Sequence, residues 1–492
     1  MRRQARFAPI LGIALLVPGA AEPQAADAAA RLVAAQLGGT PLADDLRELA
    51  DEVGGRPTGS EANRRAVEWG LAKFEAAGVA ARAEAFTVPE LWLERAAAVE
   101  IRGEEVRFSP RVAGMPFAAP TPPGGLVAPL LDAGAGAEAD FARLGASARG
   151  AVILVETAEL RDVPGLFVEY IQGAHIESRA YAAGVAGLIY QGSRPGNQLY
   201  RHNAARGIDN TLPLAVVERD GGARALRLLR AGAGLSVRLS LELEVGGPYE
   251  ARNVVGEIRG SDLADQVVVI GAHLDSWGLG DGALDNGCNV ALVIDLARQI
   301  RRLGLTPRRT IRFALFNGEE QGMHGSWGYT QTHAAELERH VMASSYDIGS
   351  GRIVGFFTGG RPEMRPVLDA ALATVGGLGP FENLDLPIVG TDNFDFMMQG
   401  VANLVANQES SNYGPNYHSR SDTFDKVDLA QLRLNSAIAA AVTWGFANAD
   451  IPYRRQTRAE VQRLVDSTDL GEQMRTFGLW SAWQRGIRGR VD

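Results

Sequence analysis

The run Val267-Val268-Val269-Ile270 constrains this chain more than any other feature. Four consecutive β-branched residues with no polar alternation describe a strand buried on both faces, as in a parallel sheet covered by helices. The following text agrees. Asn289 to Leu303 places Val290, Leu292, Val293, Leu296, Ala297 and Ile300 at helical spacing, and Thr310 to Phe316 reads as the next strand. Val341 to Tyr346 and Ala402 to Ala406 read as further strands. Strand–helix–strand alternation predicts an α/β fold, doubly wound around a mostly parallel mixed sheet. With 492 residues, and roughly 150 per domain, the chain is too long for one ordinary domain.

The rest of the chain divides around that unit. Arg2, Arg3 and Arg6 precede an apolar run from Phe7 to Val17, and small residues follow it, with candidate cleavage after Ala21 or Ala25. This pattern predicts a signal peptide over 1–25 and an exported, periplasmic or extracellular protein. The run is too short to span a bilayer, and no later segment is long and apolar enough to do so. Helices are expected over Ala28 to Leu37, Leu42 to Val53 and Glu61 to Ala77, the last capped by Ser60; strand character follows from Ala96 to Val106. Pro116 to Gly125 is rich in proline and glycine and marks a boundary. Beyond it, 116–245 alternates strands (Ala151–Val155, Gly187–Tyr190, Leu212–Val217, Leu235–Leu243) with helical stretches, so a smaller α/β domain is expected there. The larger α/β body is then discontinuous, 26–115 and 246–450. The extension 451–492 is arginine-rich and ends in Phe477, Leu479, Trp480 and Trp483, either a helical cover for the body or a homodimer contact.

Ligands of open α/β sheets bind beyond the carboxyl ends of the strands. His273 and Asp275 follow the first strand, Glu319 and Glu320 the second, and Asp347 the third. Asp285 lies in a glycine-rich loop, and Tyr417-His418 comes much later. Carboxylates crowded at one end of a sheet repel one another and are costly to desolvate, and a divalent cation reverses that cost. Cys288 is the sole cysteine, so a metal here must be held by His, Asp and Glu. One of two adjacent glutamates can be a ligand while the other is a general base, provided the pair lies in a turn, which Asn317-Gly318 supplies. The net charge is −9 and lysine occurs only at Lys73 and Lys426, so a nucleic-acid partner is not expected.

The set His273-Leu274-Asp275, Asp285-Asn286-Gly287, Asn317-Gly318-Glu319-Glu320-Gln321-Gly322, Tyr346-Asp347 and Tyr417-His418-Ser419 resembles the signature of the two-zinc exopeptidases of clan MH. These include bacterial aminopeptidases and the plasma glutamate carboxypeptidase (carboxypeptidase Q) branch, to which Asn253 to Val427 is most similar. Gly54 to Glu61 resembles the amino-terminal segment of that family, and the block from about Val127 to Glu244 its inserted protease-associated domain. The resemblance implies two zinc ions per chain. His273 and Asp347 would hold one, Glu320 and His418 the other, and Asp285 would bridge them. Glu319 would be the general base that generates the attacking hydroxide, Asp275 the carboxylate orienting His273, and Tyr417 a donor to the tetrahedral oxyanion. It also implies a cis peptide bond at Asp285–Asn286.

Some residues depart from the family pattern. Cys288 reads as a small buried residue at a helix start, and His324 as a surface histidine. His175 and His202 read as structural or exposed. Asp392-Asn393-Phe394-Asp395 falls where relatives often carry a histidine after the aspartate. The expected function is a secreted zinc exopeptidase acting on short peptides, with aminopeptidase or dipeptidase activity favoured. A carboxypeptidase of the plasma glutamate carboxypeptidase type and a non-catalytic binding protein built on the inserted domain are the alternatives. Asp392 or Asp395 could hold an α-ammonium; Arg352 or Arg420 could hold an α-carboxylate. A dinucleotide site at Gly278 to Ala283 is disfavoured, because Asp281 and Asp285 would repel a pyrophosphate.

Overall fold

The computed structural model describes residues 21–491, so the basic and apolar leader Arg2 to Val17 lies outside the described residues. Two mixed sheets organise the molecule. The first has seven strands, ordered Ala80–Val88, Tyr249–Ile258, Arg309–Phe316, Leu263–His273, His340–Ser345, Asn403–Gln408, Ile353–Phe357. Its four strands Arg309–Phe316, Leu263–His273, His340–Ser345 and Asn403–Gln408 run parallel, and antiparallel strands flank them. The run Val267 to Ile270 lies in its central strand. Val268 and Ile270 enter one core cluster, and Val267 and Val269 enter another on the opposite face. Alternate side chains of one strand thus feed two cores, which explains why polar alternation is missing.

Helices Cys288–Arg302 and Leu429–Asn448 cover the first face, with Ala21–Leu37 packed against the latter. Helices His324–Thr332 and Asn393–Met398 carry Tyr329 and Phe396 onto the second face. From the central strand the chain goes first to Arg309–Phe316 on one side and then to His340–Ser345 on the other. This reversal opens a crevice at the carboxyl end of Leu263–His273, where ligands of such sheets bind.

The second sheet has eight strands, ordered Arg107–Phe108, Leu91–Arg102, Leu235–Gly246, Leu126–Asp132, Val152–Val155, Gly187–Gln191, Leu214–Val217, Val112–Gly114. Its amino-terminal boundary differs from the expected 116. Leu91–Arg102 pairs along its length with Leu235–Gly246, so the sheet already begins at Leu91, and the Pro/Gly-rich stretch is a loop inside it. That stretch looked like a boundary because turn residues punctuate loops within domains as readily as between them. The longest helix of this unit, Val163–Ala183, is capped by Asp162 through Gly165 N.

The carboxyl-terminal extension forms helices Arg458–Ser467, Leu470–Thr476 and Trp480–Gln484. Trp483, Met474 and Val461 pack there with Met323, Phe394 and Met397 of the body. Of the two readings of this tail, a cover for the body is the one its packing displays. No helix among the described residues is long and apolar enough to cross a membrane.

Candidate metal centre

Sheet register brings the first ligands level. Gly271 pairs with Ser345, so His273 and Asp347 each stand two residues further along neighbouring parallel strands. His273 also pairs with Phe316, which places Glu319 just beyond it. Nε2 of His273 lies 2.9 Å from Asp347 Oδ1 and 3.1 Å from Asp285 Oδ1. Nε2 of His418 lies 2.7 Å from Glu320 Oε2 and 3.3 Å from Asp285 Oδ2. The five residues form two donor groups, His273–Asp285–Asp347 and Asp285–Glu320–His418, joined through the single carboxylate of Asp285. All five are buried. The Asp285–Asn286 peptide bond is cis.

The electrostatics of these groups fit a cation. Burial drives the Glu320 carboxyl up to about 7 against the pull of His418, and burial also raises Asp347. His418 is raised to about 9 against its own desolvation, with Glu320 as the leading partner, and His273 is raised chiefly by Asp347. Glu320 Oε1 is buried with no hydrogen-bond partner, and Asp285 Oδ2 has only His418 Nε2 beside it. Orphaned carboxylate oxygens facing imidazole nitrogens in a buried site are a donor set that a borderline cation satisfies.

Glu319 stands outside both donor groups. Its Oε2 lies 4.0 Å from His273 Nε2, and burial with the nearby Asp347 and Asp392 charges holds its pKa well above the usual carboxylate range. The Glu-Glu pair lies in a turn after the strand, with Gly318 in the left-handed region. The Glu319 carbonyl accepts from both Gly322 N and Met323 N, which closes that turn.

Asp275 differs in detail from its expected role. Nδ1 of His273 is 3.0 Å from the Asp275 backbone carbonyl, while the carboxylate Oδ1 is 3.7 Å away. The carboxylate instead accepts from Thr58 Oγ1 at 2.9 Å and from Glu319 N at 3.3 Å. It therefore fixes the base-bearing turn, and its backbone fixes the histidine tautomer. Thr58 Oγ1 in turn accepts from Gly318 N.

Several supporting residues carried no sequence-stated role. Asp422 accepts from Leu284 N at 2.6 Å and Asp285 N at 3.2 Å, clamping the loop of the shared carboxylate. The buried Arg56 guanidinium donates to the carbonyls of Asp281 and Gly282 at 2.8 and 2.9 Å. Arg56 lies in the segment Gly54 to Glu61 and Asp422 just beyond Ser419, yet only the fold shows what they hold. Arg488 of the tail donates to Asp395 Oδ1 and Oδ2 at 2.7 and 2.6 Å, and to the carbonyls of Gly322 and Met323 at 3.0 Å. It pins the turn that carries Glu319 and Glu320.

The second sheet's body reaches the same site. Arg201 N donates to the His418 carbonyl at 3.0 Å, and His418 Nδ1 lies 3.1 Å from the Arg201 carbonyl. Tyr200 bridges to Ser419, Arg420 N donates to Leu199 O, and Asn203 Nδ2 donates to Glu320 O at 2.8 Å. His418 itself adopts φ 54, a left-handed conformation uncommon outside glycine, within this short two-stranded zipper. Tyr417 stacks on His418 with ring centroids 3.6 Å apart, and its hydroxyl lies 3.1 Å from that of Tyr170.

A cavity of about 1310 Å³ opens onto the centre, lined by Asp285, Glu319, Glu320, Asp347, Tyr417 and His418 from the body. Tyr170 and His202 line it from the second sheet's unit, and Phe477 and Arg485 from the tail. His202 is buried, stacked on Tyr170 at 3.9 Å, and paired with Glu169 at 3.2 Å. His175 is exposed. His324 is not a surface residue: it lines the cavity, and burial lowers its pKa to about 4. Cys288 is buried at the first residue of its helix.

Of the terminus-binding candidates, three are committed or remote. Asp395 is taken by Arg488, Arg352 pairs with Glu409 on the surface, and Arg420 lines a separate depression. Asp392 is buried with both carboxylate oxygens lacking a sound hydrogen bond, and burial raises it to about 8.

Comparison with known proteins follows this geometry. The sequence profile of peptidase family M28 matches residues 253–443. Carboxypeptidase Q of Bos taurus is 26% identical over 82% of this chain and 85% of its own length. The probable lipoprotein aminopeptidase LpqL of Mycobacterium tuberculosis is 28% identical over 65% of this chain and 68% of its own. The crystal structure of a peptidase M28 precursor from Shewanella amazonensis superposes with a TM-score of 0.80 at 27% identity, covering 88% of this chain and 99% of that one. A zinc aminopeptidase from Bacillus subtilis shares the fold at a TM-score of 0.65 and 19% identity, covering 84% and 96%. On the matched profile, the paired relatives and the shared fold, residues 253–443 carry the peptidase family M28 domain, and the chain is a metallo-exopeptidase by class.

Proposed function

We propose that this protein is an exported two-zinc exopeptidase that removes terminal residues from short peptides, acting as an aminopeptidase or dipeptidase. The carrying observation is the pair of donor groups joined through Asp285, with Glu319 beside them and outside both. Imidazole and carboxylate donors suit zinc, as the named aminopeptidase neighbour also does. His273 and Asp347 would hold one ion, Glu320 and His418 the other, and Asp285 both. Metal held there would polarise the scissile carbonyl and lower the pKa of water.

The chain's own groups then divide the work. Glu319 takes the proton of the attacking water and passes it to the leaving amine, which needs a carboxyl poised near neutral pH, and its raised pKa suits that task. Tyr417 donates its hydroxyl proton to the developing oxyanion. The side chains of the two donor groups are themselves buried, which strengthens both interactions. We assign the unit 91–246 as the protease-associated insertion, 26–90 and 247–450 as the catalytic body, and 451–491 as its helical cover.

Asp392 supports the amino-end reading, because its unmatched buried carboxylate belongs to the same charge cluster as His273, Asp347 and Glu319. A second reading, carboxypeptidase, has an observation of its own: Arg161, Arg206 and Arg485 line the cavity. A panel of dipeptides, free and blocked at either end, separates them. Blocking the amino end should abolish hydrolysis and blocking the carboxyl end should spare it; the reverse would establish the carboxypeptidase. Chelation followed by zinc return should abolish and restore turnover under both. Glu319→Gln should lower kcat by at least about 1000-fold while zinc content stays at two per chain. Loss of zinc in that variant would refute the assigned role.

A further inference from the structure

The helix Val163–Ala183 belongs to the second sheet's unit, yet its Tyr170 side chain stands in the cavity against the metal centre. The hydroxyls of Tyr170 and Tyr417 are 3.1 Å apart, and neither has another hydrogen-bond partner among the described residues. A phenol hydroxyl has one proton to give and lone pairs to receive with. One proton therefore bridges the pair, and one remains for a third group.

Each ring is fixed by packing. Tyr417 lies flat on His418, and Tyr170 lies on His202 and against Phe477 of the tail, with centroids 5.6 Å apart in the latter contact. Tyr417 stacks on His418, and in the proposed mechanism its free proton is the one offered to the oxyanion. For that proton to be free, the bridging proton must come from Tyr170.

We propose that Tyr170 is a positioning residue of the insertion, donating its hydroxyl to Tyr417 so that the Tyr417 proton is left for the oxyanion. This rests on Tyr417 being the oxyanion donor. The bond does two things. It holds the Tyr417 hydroxyl in one rotamer, and it polarises that O–H, because a hydroxyl that accepts a hydrogen bond donates more strongly. The insertion then contributes to the chemistry, and does more than wall the cavity.

The test uses the zinc-loaded full chain and the variants Tyr170→Phe, Tyr417→Phe and their double. Phenylalanine keeps both ring stacks, so folding and zinc content should match the parent. Tyr417→Phe should lower kcat by about 100-fold, the scale of one lost oxyanion donor. Tyr170→Phe should lower kcat by about five- to tenfold, with KM within twofold. The double variant should be no slower than Tyr417→Phe alone, because Tyr170 acts only through Tyr417. Additive losses would overturn the relay, as would an unchanged kcat in Tyr170→Phe or an effect confined to KM. A larger loss from Tyr170→Phe than from Tyr417→Phe would overturn it in another way, by making Tyr170 the direct donor. An unaffected Tyr417→Phe would instead remove the donor reading on which the relay stands.

Discussion

The two sheets of this protein use the same alternation of strands and helices to opposite ends. At the carboxyl end of the seven-stranded sheet, neighbouring strands stop in His273, Glu319 and Asp347, and the space they enclose collects buried charge. The eight-stranded sheet stops in nothing comparable. Its core, from Val152 to Leu239, is apolar, and the loops after its parallel strands Val152–Val155 and Gly187–Gln191 reach the cavity without supplying a residue to either donor group. What it contributes is support, from the segment Leu199–Asn203 in the loop after Gly187–Gln191 and from Tyr170 of the helix Val163–Ala183. A crossing of strand order makes a ligand site only where the strand ends carry ligands; elsewhere the same architecture is a support.

That contrast can be broken experimentally, beginning with its strongest claim. Asp285→Ala removes the only carboxylate shared by both donor groups. Activity should fall by at least about 1000-fold and zinc content from two per chain to one or none, read by metal analysis. Retention of both ions would dismantle the shared-ligand reading. In the second sheet, Leu188→Ala deletes a fully buried side chain from the apolar core. It should cost about 2–4 kcal/mol of stability in denaturant titration. If that sheet is a support, kcat per folded molecule should hold within twofold.

Glu177 offers a sharper probe of the same unit. It is buried, accepts from Ala205 N, and burial raises it to about 7. A carboxyl raised above its unfolded value binds a proton preferentially in the folded state. Its stabilising effect is therefore complete at low pH and is lost as pH rises from about 4.5 to about 7. Glu177→Gln should flatten that window, changing the slope of stability against pH by up to about 1–3 kcal/mol across it. The smallest effect is expected at the junction. Asn203→Ala removes the side-chain donor to Glu320 O and should lower kcat by about three- to tenfold. No change would mean that this bond does not position Glu320.

Much of the centre could be read in the chain, and the reasons are local. A ligand at a strand end must follow an apolar run at short distance, so His273, Glu319, Glu320 and Asp347 advertise themselves. His418 follows no such run; resemblance to a family, not spacing, singled it out. Thr58 and Asp422 carried no expected role, because hydrogen bonds between residues 217 and 138 positions apart leave no periodic trace. Arg488, Asn203 and Tyr170 had no signal at all. The sequence misplaced His324 on the surface, since a histidine after a turn reads as exposed until a cavity wall is built beside it.

From sequence alone came the fold class, the parallel core and the cluster of acids and imidazoles awaiting a cation. Those follow from side-chain period and from the cost of bare buried charge, both local to short stretches of chain. Tertiary structure alone decided where the second sheet begins, and that Asp275 steadies the Glu319 turn through its carboxylate and His273 through its backbone. It alone brought Tyr170 to Tyr417, Arg201 to His418 and Arg488 to the Glu319–Glu320 turn. These contacts join units that fold on separate cores, and only their docking makes such distant residues neighbours.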